Sequence, residues 1–406
     1  MYPTLYHAFL DLFGVDIPAL KFLNSFGFFV AVAFVFAHWT LASELKRKTA
    51  QGLLKATLRK VVVGEGPKPL DMLAQGLMGF VAGWKLLYII LHIDEVTTDP
   101  PGFLLSAKGN IIGGLLLGGF LAFMYWRERK KQQLEKPEER TVEVPAAQHA
   151  GAITLTAAVW GFIGAKLFHW LENPREFLSI LSSPDAKDIV TGLTMYGGLI
   201  LAGLMVMRYF RKNGLAFWPG VDAAAPGVLL AYGIGRIGCH VSGDGDWGIA
   251  STAPKPSWMP GWLWSYDYPN NVNAVLGPYA GGYSGEPITA GTCFPGYCTH
   301  LVPGVYPTPL YEAIACVLLF GVLWALRRRI RVPGVMFCLF LIFDGVERFC
   351  IEKIRVNGPW LGTWTQAEVI SSLLVLGGAF GLWWFTKRGS KDTTDRAGAI
   401  RNSPTE

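Results

Sequence analysis

Nine stretches of the chain are dominated by apolar residues, and each approaches the ~20 residues that a helix needs to cross a bilayer. They are 23–43, 72–93, 109–126, 150–171, 189–207, 223–241, 310–326, 334–351 and 367–385, the fifth and eighth being the least clean. This pattern predicts an all-α polytopic membrane protein, a bundle of about nine transmembrane helices. Before the first stretch, Tyr2, Leu5, Tyr6, Phe9, Leu10 and Phe13 recur at helical spacing, which predicts a short interfacial helix rather than a signal peptide, since neither a basic n-region nor a small-residue cleavage site is present. Three connecting segments are long. Segments 44–70 and 127–148 are charged, and 130–140 reads as a solvated face or a flexible linker. Segment 242–309 is rich in Gly, Pro, Trp and Tyr, with Trp258, Trp262, Trp264, Tyr266 and Tyr268 suited to the headgroup level.

Composition agrees with the pattern: 51% of residues are hydrophobic, only 16% are charged, and there are 15 tryptophans, a profile that excludes an ordinary soluble domain. Lys and Arg cluster after every odd-numbered stretch, at 46–48, 127–131, 208–212, 327–331 and 387–388. The positive-inside rule makes these loops cytoplasmic, so the N-terminus is expected outside and the C-terminus inside. The opposite loops carry Asp94, Glu95, Asp99, Glu172, Glu176, Asp185 and Asp188. The net charge of +6 thus reflects topology and gives no reason to expect nucleic acid as a partner. The expected organisation is one membrane domain over 1–390, containing a hairpin at 71–127 and an outer-face loop at 242–309, followed by a disordered cytoplasmic tail at 391–406.

Two short patterns recur within the chain. Ala82-Gly83-Trp84-Lys85-Leu86 followed by Asn110-Ile111-Ile112-Gly113-Gly114-Leu115 is similar to Ile163-Gly164-Ala165-Lys166-Leu167 followed by Tyr196-Gly197-Gly198-Leu199. The 71–127 segment therefore reads either as a duplicated helical hairpin or as the ordinary abundance of Gly and Leu in membrane helices. Of the six cysteines, Cys316, Cys338 and Cys350 lie in apolar stretches as packing residues. Cys293 and Cys298 flank a Pro-Gly turn in the outer loop, where an oxidising compartment permits a disulfide. Without a second cysteine pair or a histidine cluster nearby, no metal site is expected.

Ionisable groups inside apolar stretches are costly and tend to be functional. Arg236 stands near the outer end of one stretch, in Gly233-Ile234-Gly235-Arg236-Ile237-Gly238-Cys239-His240, and Arg348 breaks another at matching depth. Two arginines there suggest an anionic ligand, a phosphate-bearing lipid above all. The structural alternatives are an ion pair of Arg236 with Asp222, Asp244 or Asp246, and an intrahelical network of Arg348 with Asp344 and Glu352 at spacings of four. Lys166 reads as a structural or field residue, and Tyr196 as a hydrogen-bond donor or an interfacial aromatic. His240 reads as a base or a satisfied helix-end residue, Cys239 as packing, and Tyr311 with Glu312 as an anchor pair or part of the site.

The stretch from Gly235-Arg236-Ile237-Gly238 through Gly243-Asp244-Gly245-Asp246 resembles the signature of the bacterial prolipoprotein diacylglyceryl transferases, Gly-Arg-x-Gly-Asn-Phe-x-Asn-Gly-Glu. Tyr196-Gly197-Gly198-Leu199-Ile200 is similar to that family's His-Gly-Gly-Leu-Ile, and Tyr306-Pro307-Thr308-Pro309-Leu310-Tyr311-Glu312 to its His-Pro-x-Gln-x-Tyr-Glu. Asp344-Gly345-Val346-Glu347-Arg348-Phe349, with Glu352 and Arg355, looks like its Tyr-Gly-x-x-Arg-Phe run. The resemblance covers the first apolar stretch and 150–385, leaving the 71–127 hairpin as an addition. It implies transfer of the diacylglyceryl group of phosphatidylglycerol to the lipobox cysteine thiol of prolipoprotein signal peptides, releasing glycerol 1-phosphate, in a bacterial inner membrane and without cofactor. Arg236, Arg348, Asp244, Asp246, His240 and Tyr196 are then the expected catalytic residues. Gly197, Gly198, Gly235, Gly238, Lys166, Glu352, Tyr311 and Glu312 are expected around the substrate. Both arginines persist, but Tyr196 replaces the histidine, Cys239 and Ser242 the asparagines, Asp244 the glutamate and Asp344 the tyrosine, with one residue inserted so that Asp246 is equally a candidate for the acid. These departures leave the base open, and with it the alternatives of a transporter or channel and of a lipid-binding paralogue.

Overall fold

A computed structural model describes residues 1–97, 102–103, 106–182, 192–274 and 276–401. Asp99, Asp185, Asp188 and the start of the fifth apolar stretch, 189–191, lie outside the described residues. The protein is a mostly helical, polytopic membrane protein. Among the described residues, six helices are long and apolar enough to span a bilayer: Ser25–Ala50, Pro69–Leu91, Ile111–Lys131, Ala146–Glu172, Thr308–Leu326 and Gln366–Arg388. The other three apolar stretches are also helical, as Met195–Lys212, Phe217–Ser242 and Val335–Glu352. Charged and polar side chains within them keep apolarity alone from marking nine spans. The expected N-terminal helix is Leu5–Phe13, ended by Gly14 in the left-handed conformation, and the last helix runs to Arg401.

The chain divides into two compact units. One comprises Met1–Gly14, Leu23–Lys55 and Phe210–Glu406, the other Val15–Phe22 and Ala56–Tyr209. In the first, Phe217–Ser242 is the central helix, buried along most of its length. Between lipid-embedded helices burial brings little hydrophobic gain, so small residues that permit close approach supply much of the attraction. Gly238 accordingly lies against Phe26 and Phe29 of the Ser25–Ala50 helix, and Gly233 against Ala313 and Cys316 of Thr308–Leu326. At the basic end of the unit, Asp222 accepts from the backbone N–H groups of Gly334 and Phe337, each at 2.9 Å, and pairs with Lys48 at 3.5 Å. The carboxylate thus satisfies the otherwise unpaired N-terminal amides of Val335–Glu352. Asp222 is therefore committed there, and is not the partner of Arg236.

The segment after Ser242 folds into a lobe with its own core rather than a loop lying on a surface. Trp247, Ala250, Tyr268, Tyr283, Leu301 and Val305 pack together, and the Trp247 indole donates to the Tyr283 hydroxyl at 2.7 Å. Strands Gly277–Pro278, Ser284–Pro287 and Thr299–Val302 form an antiparallel sheet. Tyr268 is fully buried, whereas Trp258 and Trp262 remain exposed. Cys293 and Cys298 are joined by a disulfide, with Cα atoms 5.0 Å apart.

The second unit contains two hairpins that make the same contacts. Gly83 packs against the Gly113 backbone and Leu117, and Gly164 against the Gly197 backbone and Leu201. The Asn110 amide donates to Trp84 O at 2.8 Å, and the Thr194 amide to Ala165 O at 3.0 Å. Pro69–Leu91 and Ala150–Glu172 are both 23 residues long, so the repetition extends well beyond the glycines. The charged segments on either side of the first hairpin are ordered as well. Thr57–Val63 pairs antiparallel with Glu138–Val144, Lys60 opposite Thr141; residues 138–140 are thus an exposed strand, which fits the solvated face and corrects the flexible linker.

Candidate active site

Arg236 sits six residues before the end of the central helix and is only 8% exposed. A guanidinium taken out of water needs compensation for its charge, and three elements converge to supply it. Its Nε lies 2.6 Å from Glu312 Oε2, its Nη1 pairs with Asp246, and its Nη2 donates to the Tyr232 hydroxyl at 3.0 Å. Tyr232, one turn earlier on the same helix, donates in turn to Glu312 Oε2 at 2.6 Å. Glu312, at the start of Thr308–Leu326, has no solvent exposure. It is an ionic partner in the cluster, and its neighbour Tyr311 donates to Leu263 O at 2.5 Å.

Arg355 enters the same cluster from beyond the end of Val335–Glu352. Its Nη2 donates to Asp246 Oδ1 at 2.6 Å and its Nη1 to Glu312 Oε1 at 3.2 Å. The backbone fixes this approach, because the Ile249 amide donates to Ile354 O at 2.9 Å and Gly248 bridges to Arg355. Thr308 Oγ1 donates to Asp246 O at 2.7 Å, tying the acidic loop to a third element. One turn before the helix end, Arg348 pairs with Glu352 at 2.7 Å, and Asn357 Nδ2 donates to the other Glu352 oxygen at 2.6 Å. Three arginines are thus matched by Asp246, Glu312 and Glu352. Of these acids Asp246 is the most accessible, with a side chain 35% exposed.

The two loop aspartates differ in environment. Burial alone would lift the Asp246 carboxyl, but the charges of Arg236 and Arg355 hold it below the usual carboxylate range. Burial, and then the neighbouring Asp246 charge, push the Asp244 carboxyl up. Cys239, Asp244 and Asp246 bring possible ligand atoms within 4.8 Å of one another, yet Asp246 is already engaged by two guanidiniums. His240 turns to the lobe that follows Ser242, with Nδ1 3.0 Å from the Tyr268 hydroxyl and its ring against Tyr266. Gly238 is required for helix contact, whereas a side chain at Gly235 would meet nothing within 4 Å.

Lys166, Tyr196, Gly197 and Gly198 belong to the second unit. Lys166 is buried, with its ammonium 5.3 Å from the Trp170 ring. Gly197 and Gly198 are packing residues against Gly164 and Gly161. Sequence reasoning did not single out Tyr232, Arg355 and Glu347 as site residues. The spacing of four between Tyr232 and Arg236 was the available signal for the first. Glu347 is one of three ionisable groups inside the 334–351 stretch, with Asp344 and the more conspicuous Arg348 beside it.

Residues 135–384 match the family described as prolipoprotein diacylglyceryl transferase. A phosphatidylglycerol–prolipoprotein diacylglyceryl transferase of Corynebacterium glutamicum is 31% identical over 238 residues, 58% of this chain and 68% of the relative. The protein of that name from Thermus thermophilus is 30% identical, covering 55% of this chain and 78% of the relative. That of Bacillus cereus is 27% identical, covering 72% and 92% respectively.

Proposed function

The chain belongs to the prolipoprotein diacylglyceryl transferase family, and we infer that it transfers the diacylglyceryl group of phosphatidylglycerol to the lipobox cysteine thiol of prolipoproteins, releasing glycerol 1-phosphate. The observation that carries this reading is the shared carboxylate: Arg236 and Arg355 take opposite oxygens of Asp246. Two guanidiniums set to bind a two-oxygen anion also suit the two non-bridging oxygens of a phosphodiester. Asp246, the exposed member, yields its place when the headgroup enters, so the cluster stays balanced. As sulfur attacks the glyceryl carbon and the C–O bond to phosphate breaks, charge grows on the phosphate. Fixed arginines in a site with little water stabilise it there.

In this reading the three polar helices Met195–Lys212, Phe217–Ser242 and Val335–Glu352 also cross the membrane, giving nine spans with the N-terminus outside and the C-terminus cytoplasmic. The alternation of basic clusters supports that topology. The Arg236 cluster then faces the outer leaflet of a bacterial inner membrane, where phosphatidylglycerol and the prolipoprotein signal peptide both have access. Incubating the purified protein with phosphatidylglycerol vesicles and a lipobox peptide tests the function. The expected result is a thioether-linked diacylglyceryl peptide by mass spectrometry together with glycerol phosphate release, and an unmodified peptide refutes the reading.

A further inference from the structure

Glu347 lies on Val335–Glu352, one residue before Arg348, and is 94% buried. Both of its carboxyl oxygens lack a hydrogen-bond partner, and it takes part in no ion pair among the described residues. Among the described residues it is the acid with both carboxyl oxygens buried and without a hydrogen-bond partner, whereas Asp246, Glu312 and Glu352 each hold an arginine. The three arginines are already balanced, so an ionised Glu347 would stand as an uncompensated buried charge, a costly condition that a carboxyl escapes by keeping its proton. Around it are Tyr232 and Arg236 from the central helix, Glu312 and Cys316 from Thr308–Leu326, and Asp344 and Arg348 on its own helix. The Gln366–Arg401 helix meets this one at Gly345 through the uncharged Ser371, Leu374 and Val375.

We propose that Glu347 is a further catalytic residue, a neutral carboxylic acid that passes a proton between the two reacting groups. One oxygen accepts the proton of the lipobox thiol while the other gives its own to the departing phosphate oxygen. The sulfur–carbon bond forms, the carbon–oxygen bond breaks with its electron pair leaving on the phosphate, and Glu347 ends the step protonated as it began. No charged base is needed in the cluster. This fits an acid with both oxygens uncommitted, and a chain in which Tyr196 stands where the family pattern has histidine.

The proposal rests on the transferase reading, and the test separates the two. Wild-type protein, Glu347→Gln and Glu347→Asp are reconstituted in phosphatidylglycerol nanodiscs, and transfer to a lipobox peptide is followed as a function of lipid fraction and pH. Glu347→Gln keeps the volume but cannot relay a proton. Its kcat is expected to fall about a hundredfold, the ordinary contribution of a general acid–base group, with KM for the lipid changed less than about threefold. Glu347→Asp should recover part of the rate, and the loss of rate at high pH expected of the wild type should be absent from Glu347→Gln. An active wild type with an equally active Glu347→Gln overturns the proposal. So does a variant that loses lipid binding together with rate while keeping the wild-type pH profile. A wild type that forms no thioether overturns the transferase reading, and this proposal with it.

Discussion

Arg236 and Arg355 hold the two oxygens of one carboxylate, that of Asp246, and both also contact Glu312. The arrangement asks for donors in a fixed plane. In Arg236 three nitrogens serve Glu312, Asp246 and Tyr232 separately, and a lysine ammonium, a compact point charge on a flexible stem, cannot reach all three. Arg236→Lys is therefore expected to lose two charge-assisted hydrogen bonds of ~1.5–3 kcal/mol each, and most of its transfer activity. Arg355→Lys should be milder, since Asp246 and Glu312 keep Arg236. Thioether formation by mass spectrometry, at matched amounts of folded protein, checks both.

How far this site was legible in the sequence depends on how far apart its members are. Arg236 and Arg348 announce themselves because each interrupts an apolar stretch. Arg355 stands beyond a helix end, and although it follows the family-like run, its partner Asp246 is 109 positions away, so no local period pairs the two. Asp246 itself was recognised as an acid, but its possible roles as base and as ion-pair partner were separable only once Arg355 was placed beside it. The pairing of Thr57–Val63 with Glu138–Val144 was invisible for the same reason: each segment alone reads as a charged loop, and only the register between them makes a sheet. The hairpin repetition, by contrast, was legible in the positions of Gly83, Lys85, Gly113 and their counterparts, because close backbone approach admits few residues other than glycine.

That close approach makes a prediction about size. At Gly83, Gly113, Gly164 and Gly197 a Cβ would run into the backbone or a Cβ of the facing helix, whereas at Gly235 it meets nothing within 4 Å. Gly164→Leu and Gly83→Leu should each cost at least the ~1–3 kcal/mol typical of overpacking, and lower the thermal midpoint in detergent. Gly235→Ala should leave it unchanged. Equal midpoints for Gly164→Leu and wild type would contradict the packing.

Thiol labelling separates the cysteines. Cys350 is exposed, Cys239, Cys316 and Cys338 are buried, and Cys293 is bonded to Cys298. A small, membrane-permeant alkylating reagent should label Cys350 alone in the native protein, and Cys293 and Cys298 in addition after reduction. Free labelling of Cys293 and Cys298 without reductant would show that no bridge exists.

The two aspartates of the acidic loop predict opposite dependences of stability on pH. Asp246 has its folded-state pKa lowered: burial opposes ionisation, but Arg236 and Arg355 outweigh it. Its contribution is present above the unfolded value of about 3.9 and is lost as pH falls through the folded value. Asp244 is raised, by burial first and by Asp246 second. Its folded form prefers the proton, so its contribution is complete below about pH 3.9 and is lost as pH rises through the folded value. Asp244→Asn removes an ionisation that the folded protein resists and should raise the thermal midpoint near neutral pH, with the gain vanishing as pH approaches 4. Asp246→Asn leaves two guanidiniums without their shared anion and should lower the midpoint near neutral pH, with the loss shrinking in acid. Thermal unfolding of both variants in detergent from pH 2.5 to 8 reads the two signs directly. A midpoint lowered by Asp244→Asn at neutral pH would mean that its carboxylate is paired in the folded state rather than resisted by it.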